Sequence, residues 1–471
     1  MDFYGRKQEI TDLQTVINSE DPRVAVVYGR RRIGKTSLIR EALRNVPFLI
    51  IEGLENRPKR DQVSHFIYQV CYQLELPQPK KEFPGWEQAF IFLYESLLDR
   101  PHHIVLDEFQ WMGNYRQEIV SDLKAIWEQY ISTIKGVSLI LSGSVASFMV
   151  RKVIRSSALY GRVDVEINLK GFQLHETAHM LSSRGVSEIM EAQIFSGGVP
   201  KYIELLERES SVRLGLGQIA FSPNGYFVTE YPRIFVSHFG KNENYEKIVR
   251  SLSRKPYGMF RNELCEEAKL SPGGYLSDLL YDLEMAGFIS SVTPLDKALN
   301  SRLVKYQLSD AYLRFYFAFI EPMLKEIKSF PVMLAERTLQ SSKFQSWLGI
   351  SFEYTCVQHS RKIADILGFG GIEYSAGAWF RKPGKGVAGA QVDLLFDRRD
   401  QVVTLCEMKY LRKPVGVSII DEVERKVQVI ESAFPSKTIQ RVLLTNSSVS
   451  RELQATGYFY RVISPEELIN L

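Results

Sequence analysis

One segment of the sequence has the residue types and the spacing to bind the phosphate groups of a nucleotide. Gly29-Arg30-Arg31-Arg32-Ile33-Gly34-Lys35-Thr36 fits the pattern GxxxxGK[ST], and the apolar run 24–28 precedes it. Glycines let such a loop turn its backbone amides toward phosphate oxygens at the start of a helix. Lys35 would then reach the terminal phosphates, and Thr36 would offer its hydroxyl to Mg²⁺. The residues expected to contact the nucleotide here are Gly29, Arg30, Arg31, Arg32, Ile33, Gly34, Lys35, Thr36 and Ser37.

A second segment supplies the carboxylates that this chemistry requires. The apolar run 103–106 ends in Asp107 and Glu108. We expect Asp107 to hold Mg²⁺ through water and Glu108 to polarise the water that attacks the γ-phosphate. A strand that ends in Asp-Glu is common, but in combination with Lys35 it predicts hydrolysis of a nucleoside triphosphate.

Two further positions could assist this reaction. The run 138–141 leads into Ser142-Gly143-Ser144, where a hydroxyl such as that of Ser142 could sense the γ-phosphate or orient the water. A plain turn explains the same residues equally well. Arg162 could supply charge to the transition state, either within its own chain or across the interface of a homo-oligomer.

The elements around these segments predict an α/β fold. Short runs rich in β-branched residues and leucine cover 24–28, 48–51, 104–106 and 137–141. Between them, apolar residues recur at every third or fourth position, as in helices that cover a sheet. The alternation predicts a parallel sheet with helices on its faces, in a first domain over residues 1–170.

The middle of the chain is mostly helical. Residues 171–240 predict a helical lid, and residues 241–310 give three helices and two strands in the order of a winged helix. Residues 311–343 predict a helical linker, whose aromatic run 312–319 is expected to pack as a helix.

The third helix of the predicted winged helix does not favour DNA binding. Residues 274–284 carry three acids and no base, so this helix would face DNA phosphates with like charge. A regulatory or packing module is the favoured interpretation. Any DNA contact would come from the wing, through Lys297, Arg302 and Lys305.

The last segment, residues 344–471, predicts a separate α/β domain with a cluster of charge. Asp393 lies in one apolar strand, and Glu407 and Lys409 lie in the next. Strand side chains alternate, so Glu407 and Lys409 share a face, where an uncompensated carboxylate would be costly. Binding of Mg²⁺ or Mn²⁺ by Asp393 and Glu407 would compensate it, with Lys409 positioning the attacking water or stabilising the developing charge.

The loop between these two strands decides whether the carboxylates can meet. A loop of three or five residues, or a bulge, would set Asp393 opposite Leu405 and on the side of Glu407. A loop of two or four residues would set it opposite Thr404, facing away. Carboxylates on opposite faces would exclude a shared metal.

The motifs of the first part resemble a known family. The phosphate loop, Asp107-Glu108, Ser142-Gly143-Ser144, Tyr160-Gly161-Arg162 and Gly198-Val199-Pro200 occur in the order seen in archaeal-type ATPases of the STAND branch of AAA+-like P-loop proteins. The resemblance covers roughly residues 1–310. It implies an adenine nucleotide, with Pro200 near the base, and a nucleotide state that toggles the domain arrangement.

The C-terminal carboxylates look like those of the PD-(D/E)XK nuclease superfamily. Glu353 on the preceding helix matches an additional helical acid of that superfamily, and Gln391-Val392 stands where its name-giving proline can precede Asp393. Such domains recur behind archaeal-type ATPases. The resemblance implies a restriction-endonuclease-like fold and a metal site made of Glu353, Asp393 and Glu407. The alternative is a nuclease-like fold that has lost its chemistry and serves as a platform.

Residues that could hold nucleic acid surround these carboxylates. Stacking aromatics are available at Tyr374, Trp379 and Phe380. The local cations are Arg381, Lys382, Lys385, Arg398, Arg399, Lys409, Arg412 and Lys413. They could hold a phosphate backbone, although such cations also line ordinary solvated faces.

The composition sets outer limits on these interpretations. With 471 residues, 45% hydrophobic and 24% charged, the chain should fold, into about three domains. Its net charge of +4 is too small to decide for or against a polyanionic partner. The four cysteines are far apart, which argues against zinc and disulfides and favours a reducing cytoplasm. No apolar stretch is long enough for a membrane span, and no leader is recognisable.

Together these patterns predict a cytoplasmic ATPase whose nucleotide state controls a metal-dependent, nuclease-like C-terminal domain acting on DNA. One alternative is a binding switch that hydrolyses ATP slowly and recruits protein or nucleic acid through an inert C-terminal domain. Another is a P-loop motor that uses its later domains only to hold DNA. The expected cofactors are ATP and Mg²⁺, with Mn²⁺ as an option at the C-terminal site.

Overall fold

The computed structural model describes residues 3–99, 102–239, 242–297, 301, 303–329, 333–381 and 389–470. Two compact units, Met1–Gly171 and Phe172–Leu471, make up the chain. The first unit ends one residue beyond the boundary expected for the first domain. Within the described residues, no helix has both the length and the apolar character needed to cross a bilayer.

The first unit contains a five-stranded parallel sheet. Its strands are β1 (Arg23–Tyr28), β2 (Phe48–Glu52), β3 (His103–Asp107), β4 (Ser138–Gly143) and β5 (Val165–Asn168), in the order β2-β3-β4-β1-β5. Its helices are α1 (Lys7–Ile17), α2 (Lys35–Ala42), α3 (Lys59–Gln73), α4 (Trp86–Leu97), α5 (Phe109–Met112), α6 (Glu118–Gln129) and α7 (Ala146–Phe148).

This sheet confirms the predicted α/β class and adds one strand. The four predicted runs became β1 to β4, whose side chains are almost all buried between helices. The edge strand β5 was not predicted, because its four residues, Val165–Asn168, alternate polar and apolar and only one of them is buried. A short, half-polar edge strand carries little periodic signal.

The second unit begins with a helical layer. Its helices are α8 (Leu174–Met180), α9 (Val186–Ser196), α10 (Pro200–Glu207), α11 (Val212–Phe221) and α12 (Tyr226–Phe239). The aromatic run predicted as a helix forms α16 (Ala311–Phe315) and a π-helical turn, Tyr316–Ile320. It packs among aromatic rings of this layer: Tyr312 lies 4.9 Å from Phe227 between ring centroids, and Phe315 lies 6.2 Å from Phe195.

Three helices and a small antiparallel sheet lie where we predicted a winged helix. They are α13 (Glu243–Ser253), β6 (Met259–Phe260), α14 (Arg261–Ala268), α15 (Gly274–Met285), β7 (Ile289–Val292) and β8 (Lys305–Leu308), with strand order β6-β8-β7. The two-residue β6 was not predicted, since it is too short to show a period. After α16 come α17 (Leu324–Ser329) and α18 (Leu334–Gln340).

The chain finishes with a mixed five-stranded sheet. Its helices are α19 (Ser342–Gln358), α20 (Ser360–Ile366), α21 (Ile419–Ala433), α22 (Arg451–Ala455) and α23 (Pro465–Ile469). Its strands are β9 (Tyr374–Arg381), β10 (Ala390–Arg398), β11 (Val402–Lys409), β12 (Thr438–Thr445) and β13 (Arg461–Ile463). β9, β10 and β11 run antiparallel, whereas β11, β12 and β13 run parallel, so β9 and β13 are the edges.

Candidate functional sites

The loop between β1 and α2 has the backbone shape that phosphate binding requires. Gly29, Arg32 and Gly34 have φ angles of 156°, 71° and 92°, a region that glycine enters at little cost. A Cβ atom at Gly29 would collide with the carbonyl of Leu169, so this position tolerates no side chain. The loop ends in α2, and the helix N-terminus adds its own preference for an anion.

Lys35 lies under this loop. Its side chain is only 5% exposed, and Nζ donates to the carbonyl oxygens of Gly29 at 3.1 Å and Arg30 at 3.4 Å. Burial lowers the pKa of the Lys35 ammonium, and the nearby carboxylates of Glu108 and Asp107 oppose that effect. A phosphate arriving at the loop would replace weak carbonyl acceptors with charged ones, which stabilises a buried ammonium.

Thr36 and Asp107 are in direct contact. The Thr36 hydroxyl donates to Asp107 Oδ2 at 2.7 Å, and Asp107 Oδ1 accepts from the backbone N–H of Glu108 at 3.0 Å. Hydroxyl and carboxylate oxygens are the ligands that Mg²⁺ takes alongside water and nucleotide phosphates. The donor set therefore fits this cation.

A further acid, which the sequence analysis missed, adjoins this pair. Glu52 ends β2 and pairs in register with Asp107 of β3. Partial burial raises the pKa of the Glu52 carboxyl, and the negative charges of Asp107 and Glu108 raise it further. The signal available in the sequence was its place at the carboxyl end of an apolar strand.

Glu108 is held by Ser144, which follows β4, and by Gln110 of α5. Its Oε2 accepts from the Ser144 hydroxyl at 2.6 Å, from the Ser144 backbone N–H at 3.2 Å and from Gln110 Nε2 at 2.5 Å. Its own backbone is in the left-handed region, with φ 49°. Ser142, the predicted γ-phosphate sensor, is buried, and its hydroxyl has no hydrogen-bond partner among the described residues. The role of Ser142 as a sensor of the γ-phosphate stays a prediction, and Ser144, two residues later, is the residue of this segment that contacts Glu108.

Of the other residues of the phosphate loop, some are buried and some are on the surface. Ile33 is buried, and its carbonyl accepts from Arg6 Nη2 at 3.5 Å, while the same nitrogen donates to the Lys170 carbonyl at 2.6 Å. Arg6 is thus a buried support for the loop that the sequence analysis missed. The Arg31 guanidinium lies 5.8 Å from the ring centroid of Trp111. Nothing further distinguishes Ser37.

Arg162 makes local contacts in the structure. Its guanidinium pairs with Glu128, and its Nη1 donates to the carbonyls of Ala158 at 3.2 Å and Tyr160 at 3.3 Å. A role at the transition state would require the pair with Glu128 to open. Pro200 is the first residue of α10, in the second unit, and its proximity to a base stays a prediction.

The second candidate site lies where β10 and β11 meet α19 and α21. The turn between the strands holds Arg399, Asp400 and Gln401, a three-residue loop in which Gln401 has φ 64°. Leu395 pairs with Leu405 and Leu394 with Cys406. We expected a three-residue loop to set Asp393 opposite Leu405, but the register, continued by one residue, places Asp393 across from Glu407. The loop is centred on Asp400, one residue later than expected, and directly opposed residues still share a face of the sheet.

The carboxylates predicted for the metal site line one cleft. The cleft has a volume of about 270 Å³ and includes Glu353 from α19, Asp393 from β10, and Glu407 and Lys409 from β11. The ladder between β9 and β10 shifts by one residue between Val392 and Leu395, an irregularity in the interval that contains Asp393 and Leu394. Bulges re-aim side chains next to functional sites.

Glu407 is held by two lysines, one of which the sequence analysis missed. This carboxylate is 4% exposed and accepts from Lys409 Nζ at 2.9 Å and Lys426 Nζ at 2.6 Å. Lys409 also lies 2.8 Å from Glu422. Burial alone would lower the pKa of Lys409, but its contacts with Glu407 and Glu422 dominate and raise it. Lys426 and Glu422, both on α21, complete a network of alternating charge.

Glu353 is a carboxyl whose ionisation is disfavoured. Burial raises the pKa of Glu353 to about 8, and the charges of Asp393 and Glu407 contribute to the shift. Three acids held this close are costly without a cation between them. Even so, within the described ranges no group of three or more His, Cys, Asp or Glu side chains is arranged to hold a metal ion as it stands.

Several residues predicted to hold nucleic acid have structural roles. Trp379 and Phe380 are buried, and Tyr374 packs against Phe369 and Phe396, so these rings do not form an open stacking surface. Arg398 lies 4.3 Å from the Phe369 ring centroid and pairs with Asp400.

Other predicted cations also have local partners. Arg399 pairs with Glu373 at 3.2 Å, Arg381 donates to Ser432 at 2.8 Å, and Arg412 donates to Gln345 at 3.1 Å. Lys382, Lys385 and the wing residue Arg302 lie outside the described residues.

Comparison with known proteins identifies the first part of the chain. Residues 3–206 match the family model of an ATPase domain found predominantly in Archaea. An uncharacterised protein of Methanocaldococcus jannaschii is 24% identical over 421 residues, 87% of this chain and 87% of that protein. An ATP-binding protein of Pyrococcus abyssi, also uncharacterised, is 24% identical over 236 residues, 45% of this chain and 72% of that protein.

One of the similar solved structures is a Walker-type ATPase of Pyrococcus abyssi. It is 18% identical, with a TM-score of 0.49 over 67% of this chain and 96% of that one. The family match supports an ATPase of the archaeal type in residues 3–206, which are less than half of the chain.

Proposed function

We propose that this chain binds and hydrolyses ATP in its first unit and that the nucleotide state controls a metal-dependent, nuclease-like domain in residues 344–471 that acts on DNA. The observation that carries the first half is the contact of Thr36 with Asp107 beside the buried Lys35. The ligands expected for Mg²⁺ are adjacent, and the lysine expected to bind phosphate is in place. The archaeal-type ATPase domain supports the same assignment.

The residues of the first unit have distinct tasks in this proposal. Mg²⁺, when bound, would neutralise charge on the β- and γ-phosphates. Lys35 would exchange the carbonyls of Gly29 and Arg30 for phosphate oxygens. Glu108 would leave Ser144 and accept a hydrogen bond from the attacking water. The release is needed because the hydroxyl and the backbone N–H of Ser144 both donate to Glu108 and make its carboxylate a poorer acceptor for water.

Nucleotide binding and turnover test this half. The wild-type chain should bind a fluorescent ATP analogue and hydrolyse MgATP, Lys35→Ala should lose binding, and Glu108→Gln should bind but turn over at least a hundredfold more slowly. Arg155→Ala, a change in the same unit outside the loop, serves as the matched control. Full turnover in Glu108→Gln would contradict the role given to Glu108.

The second half rests on the acids around the C-terminal cleft. Asp393, Glu407 and Lys409 follow the order of PD-(D/E)XK residues, and Glu353 adds a fourth charged group from α19. A divalent cation among these acids would lower the cost of ionising Glu353. In that state Asp393 and Glu407 would bind the cation, and Lys409 would lie near the attacking water, two residues along the same strand from Glu407.

We assign residues 241–310 as a winged helix that packs rather than reads DNA. Two acids of α15 have partners within this region: Asp282 accepts from Tyr245 at 2.7 Å, and Glu284 accepts from the Ser291 backbone N–H at 2.8 Å. Of the wing cations, Lys305 lies 4.3 Å from the Phe380 ring centroid, and Lys297 pairs with Asp296 at 3.0 Å. These contacts favour a packing module over a DNA reader.

Cleavage assays test the second half. Linear and circular DNA, single- and double-stranded, would be incubated with Mg²⁺ or Mn²⁺, with and without ATP. Wild type should cut, Glu407→Ala should not, and Lys35→Ala should show whether nucleotide licenses cutting. Glu431→Ala, an exposed acid on α21, is the matched control. Equal cutting by wild type and Glu407→Ala would point to a contaminant and remove the nuclease assignment.

The binding switch with an inert C-terminal domain has one specific observation in its favour. Both oxygens of Glu407 are engaged by ammonium groups, Lys409 on Oε1 and Lys426 on Oε2. A metal ion bound to Glu407 would have to share an oxygen with one of these ammonium groups or displace it. Under this alternative, ATP turnover is slow and unchanged by DNA, and no metal condition gives cleavage above the Glu407→Ala background.

A further inference from the structure

The carboxylate cleft opens into a second cavity whose lining has a different chemistry. This cavity, of about 330 Å³, shares Tyr257, Glu353, Gln391 and Asp393 with the carboxylate cleft. A group bound in the second cavity would therefore lie directly beside the proposed scissile position. Its volume is at the small end of the range for ligand pockets, about 300 Å³ and upward, which suits one nucleotide.

The walls of this cavity suit an uncharged aromatic ligand better than a phosphate. Apart from the shared acids, Lys305 is the charged residue of the lining. The rest is aromatic, aliphatic or neutral polar, with hydroxyl groups such as that of Ser290 and the amide of Gln307. A nucleobase has faces that stack on aromatic rings and edges that bond to hydroxyls and amides.

Hydrogen bonds tie the lining of this cavity to neighbouring elements. The backbone N–H of Leu295, just after β7, donates to the Ala378 carbonyl of β9 at 3.1 Å, and Lys305 of β8 donates to Gln391 at 3.4 Å. These two bonds join the β7–β8 hairpin to the C-terminal sheet, and a third, from the Tyr354 hydroxyl to the Pro256 carbonyl at 2.7 Å, joins α19 to the segment before β6. The cavity, called the slot from here on, has room for one nucleotide rather than a base pair. A base within a duplex could enter only after leaving its stack.

Tyr257 lies at the junction of the two cavities. Its side chain is 47% exposed and lines both. An exposed ring at the mouth of a slot, next to acids that would hold a metal, can stack on the base next to the cleaved bond.

We propose that this cavity binds one unpaired nucleotide next to the scissile phosphate, with its base stacked on Tyr257, so that the substrate is single-stranded DNA or an unpaired end rather than a continuous duplex. The proposal rests on the nuclease function proposed above and names its substrate class. Binding in the slot needs no cleavage, so the two can be tested separately.

The test uses the full chain carrying Glu407→Gln, with Ca²⁺, and DNA containing one 2-aminopurine. The fluorescence of this base falls when it stacks. We expect quenching with single-stranded DNA and at least about tenfold weaker binding of the paired duplex. Adding Tyr257→Ala should abolish the quenching and weaken binding by about five- to a hundredfold. Tyr257→Phe should keep both, and Tyr460→Ala, at an exposed tyrosine elsewhere, should change neither.

The outcomes separate the two proposals. Duplex bound as tightly as single strand, or quenching unchanged in Tyr257→Ala, overturns the single-strand assignment, even if wild type cuts DNA in a Glu407-dependent way. Tyr257-dependent quenching without any cleavage by wild type supports the slot and removes the nuclease chemistry. Retained folding of Tyr257→Phe and Tyr257→Ala, checked by circular dichroism, makes the comparison valid.

Discussion

Ser144 donates two hydrogen bonds to one carboxylate oxygen of Glu108, from its hydroxyl at 2.6 Å and from its backbone N–H at 3.2 Å. The acid proposed to activate water is therefore held by the end of the neighbouring strand. Hydrogen bonds to a charged acceptor are each stronger than neutral ones, so this contact favours the held position. Its release is a step that nucleotide binding could control.

Substitution of Ser144 should loosen this hold. Ser144→Ala removes the hydroxyl bond but keeps the backbone bond, so we expect basal ATP turnover to rise severalfold with little change in ATP affinity. Ser121→Ala, at an exposed serine of α6 in the same unit, is the control and should leave turnover near wild type. Steady-state kinetics on both variants decide the matter. Slower turnover in Ser144→Ala would mean that Ser144 acts in the reactive state instead.

The contact between Thr36 and Asp107 should be visible as a dependence on Mg²⁺. Thr36→Val removes the hydroxyl at nearly constant volume. We expect the affinity for ATP without metal to change little. The increase in ATP affinity that Mg²⁺ causes should fall by about tenfold. Titration of a fluorescent ATP analogue with and without Mg²⁺ measures both. Thr15→Val, at an exposed threonine of α1 in the same unit, is the matched control. If Mg²⁺ increases the ATP affinity of Thr36→Val as much as that of the wild type, Thr36 is not a ligand of the metal.

The two lysines on Glu407 should matter to stability when no metal is present. Lys426→Met leaves a buried carboxylate with one partner, and we expect the free energy of unfolding in EDTA to fall by about 1–3 kcal/mol. Arg425→Met changes the exposed neighbour on the same helix and should cost less than about 0.5 kcal/mol. Urea titrations compare the two. Equal stability of Lys426→Met and wild type would contradict the buried ion pair.

Glu353 should make the metal-free protein less stable as the pH rises. Its pKa is about 8 in the folded chain against an ordinary value of 4.5, so the unfolded chain releases the proton first. Stability is then lost between about pH 4.5 and pH 8. Glu353→Gln should remove this loss and stabilise the protein at pH 8 by roughly 1–4 kcal/mol. Urea midpoints at pH 5 and pH 8 in EDTA test it; a parallel pH dependence in both proteins would refute the assignment.

The phosphate loop of the candidate nucleotide site could be recognised in the sequence because its residues are neighbours along the chain. The loop over Gly29 to Thr36 combines glycines and a lysine at fixed spacing, and its strand and helix follow from local pattern. Residues that are distant in sequence and come together in the fold show no such local pattern. Glu52 and Ser144 meet Asp107 and Glu108 only through the order of strands in the sheet, which no single segment encodes.

The C-terminal site was predictable in composition but not in register. Asp393, Glu407 and Lys409 are recognisable as charges in apolar strands. Their pairing across the strands depends on where the turn begins. The sequence does not decide whether Arg398 belongs to the turn or to the strand. Lys426 and Glu422 are ordinary surface residues by pattern, one helical turn apart. Only the packing of α21 on the sheet brings them to Glu407. Trp379 shows the reverse case, since a ring that could stack on a base is enclosed in the core.

The bond from Leu295 to Ala378 has a consequence for dissecting this protein. β9 is an edge strand of the C-terminal sheet, and the segment after β7 covers part of that edge. Uncovered edges pair readily with other strands and promote aggregation. A fragment containing only residues 344–471 would expose this edge together with the apolar surface that Leu295 packs against. We therefore expect the isolated fragment to self-associate, while one that begins at residue 172, the start of the second unit, stays monodisperse.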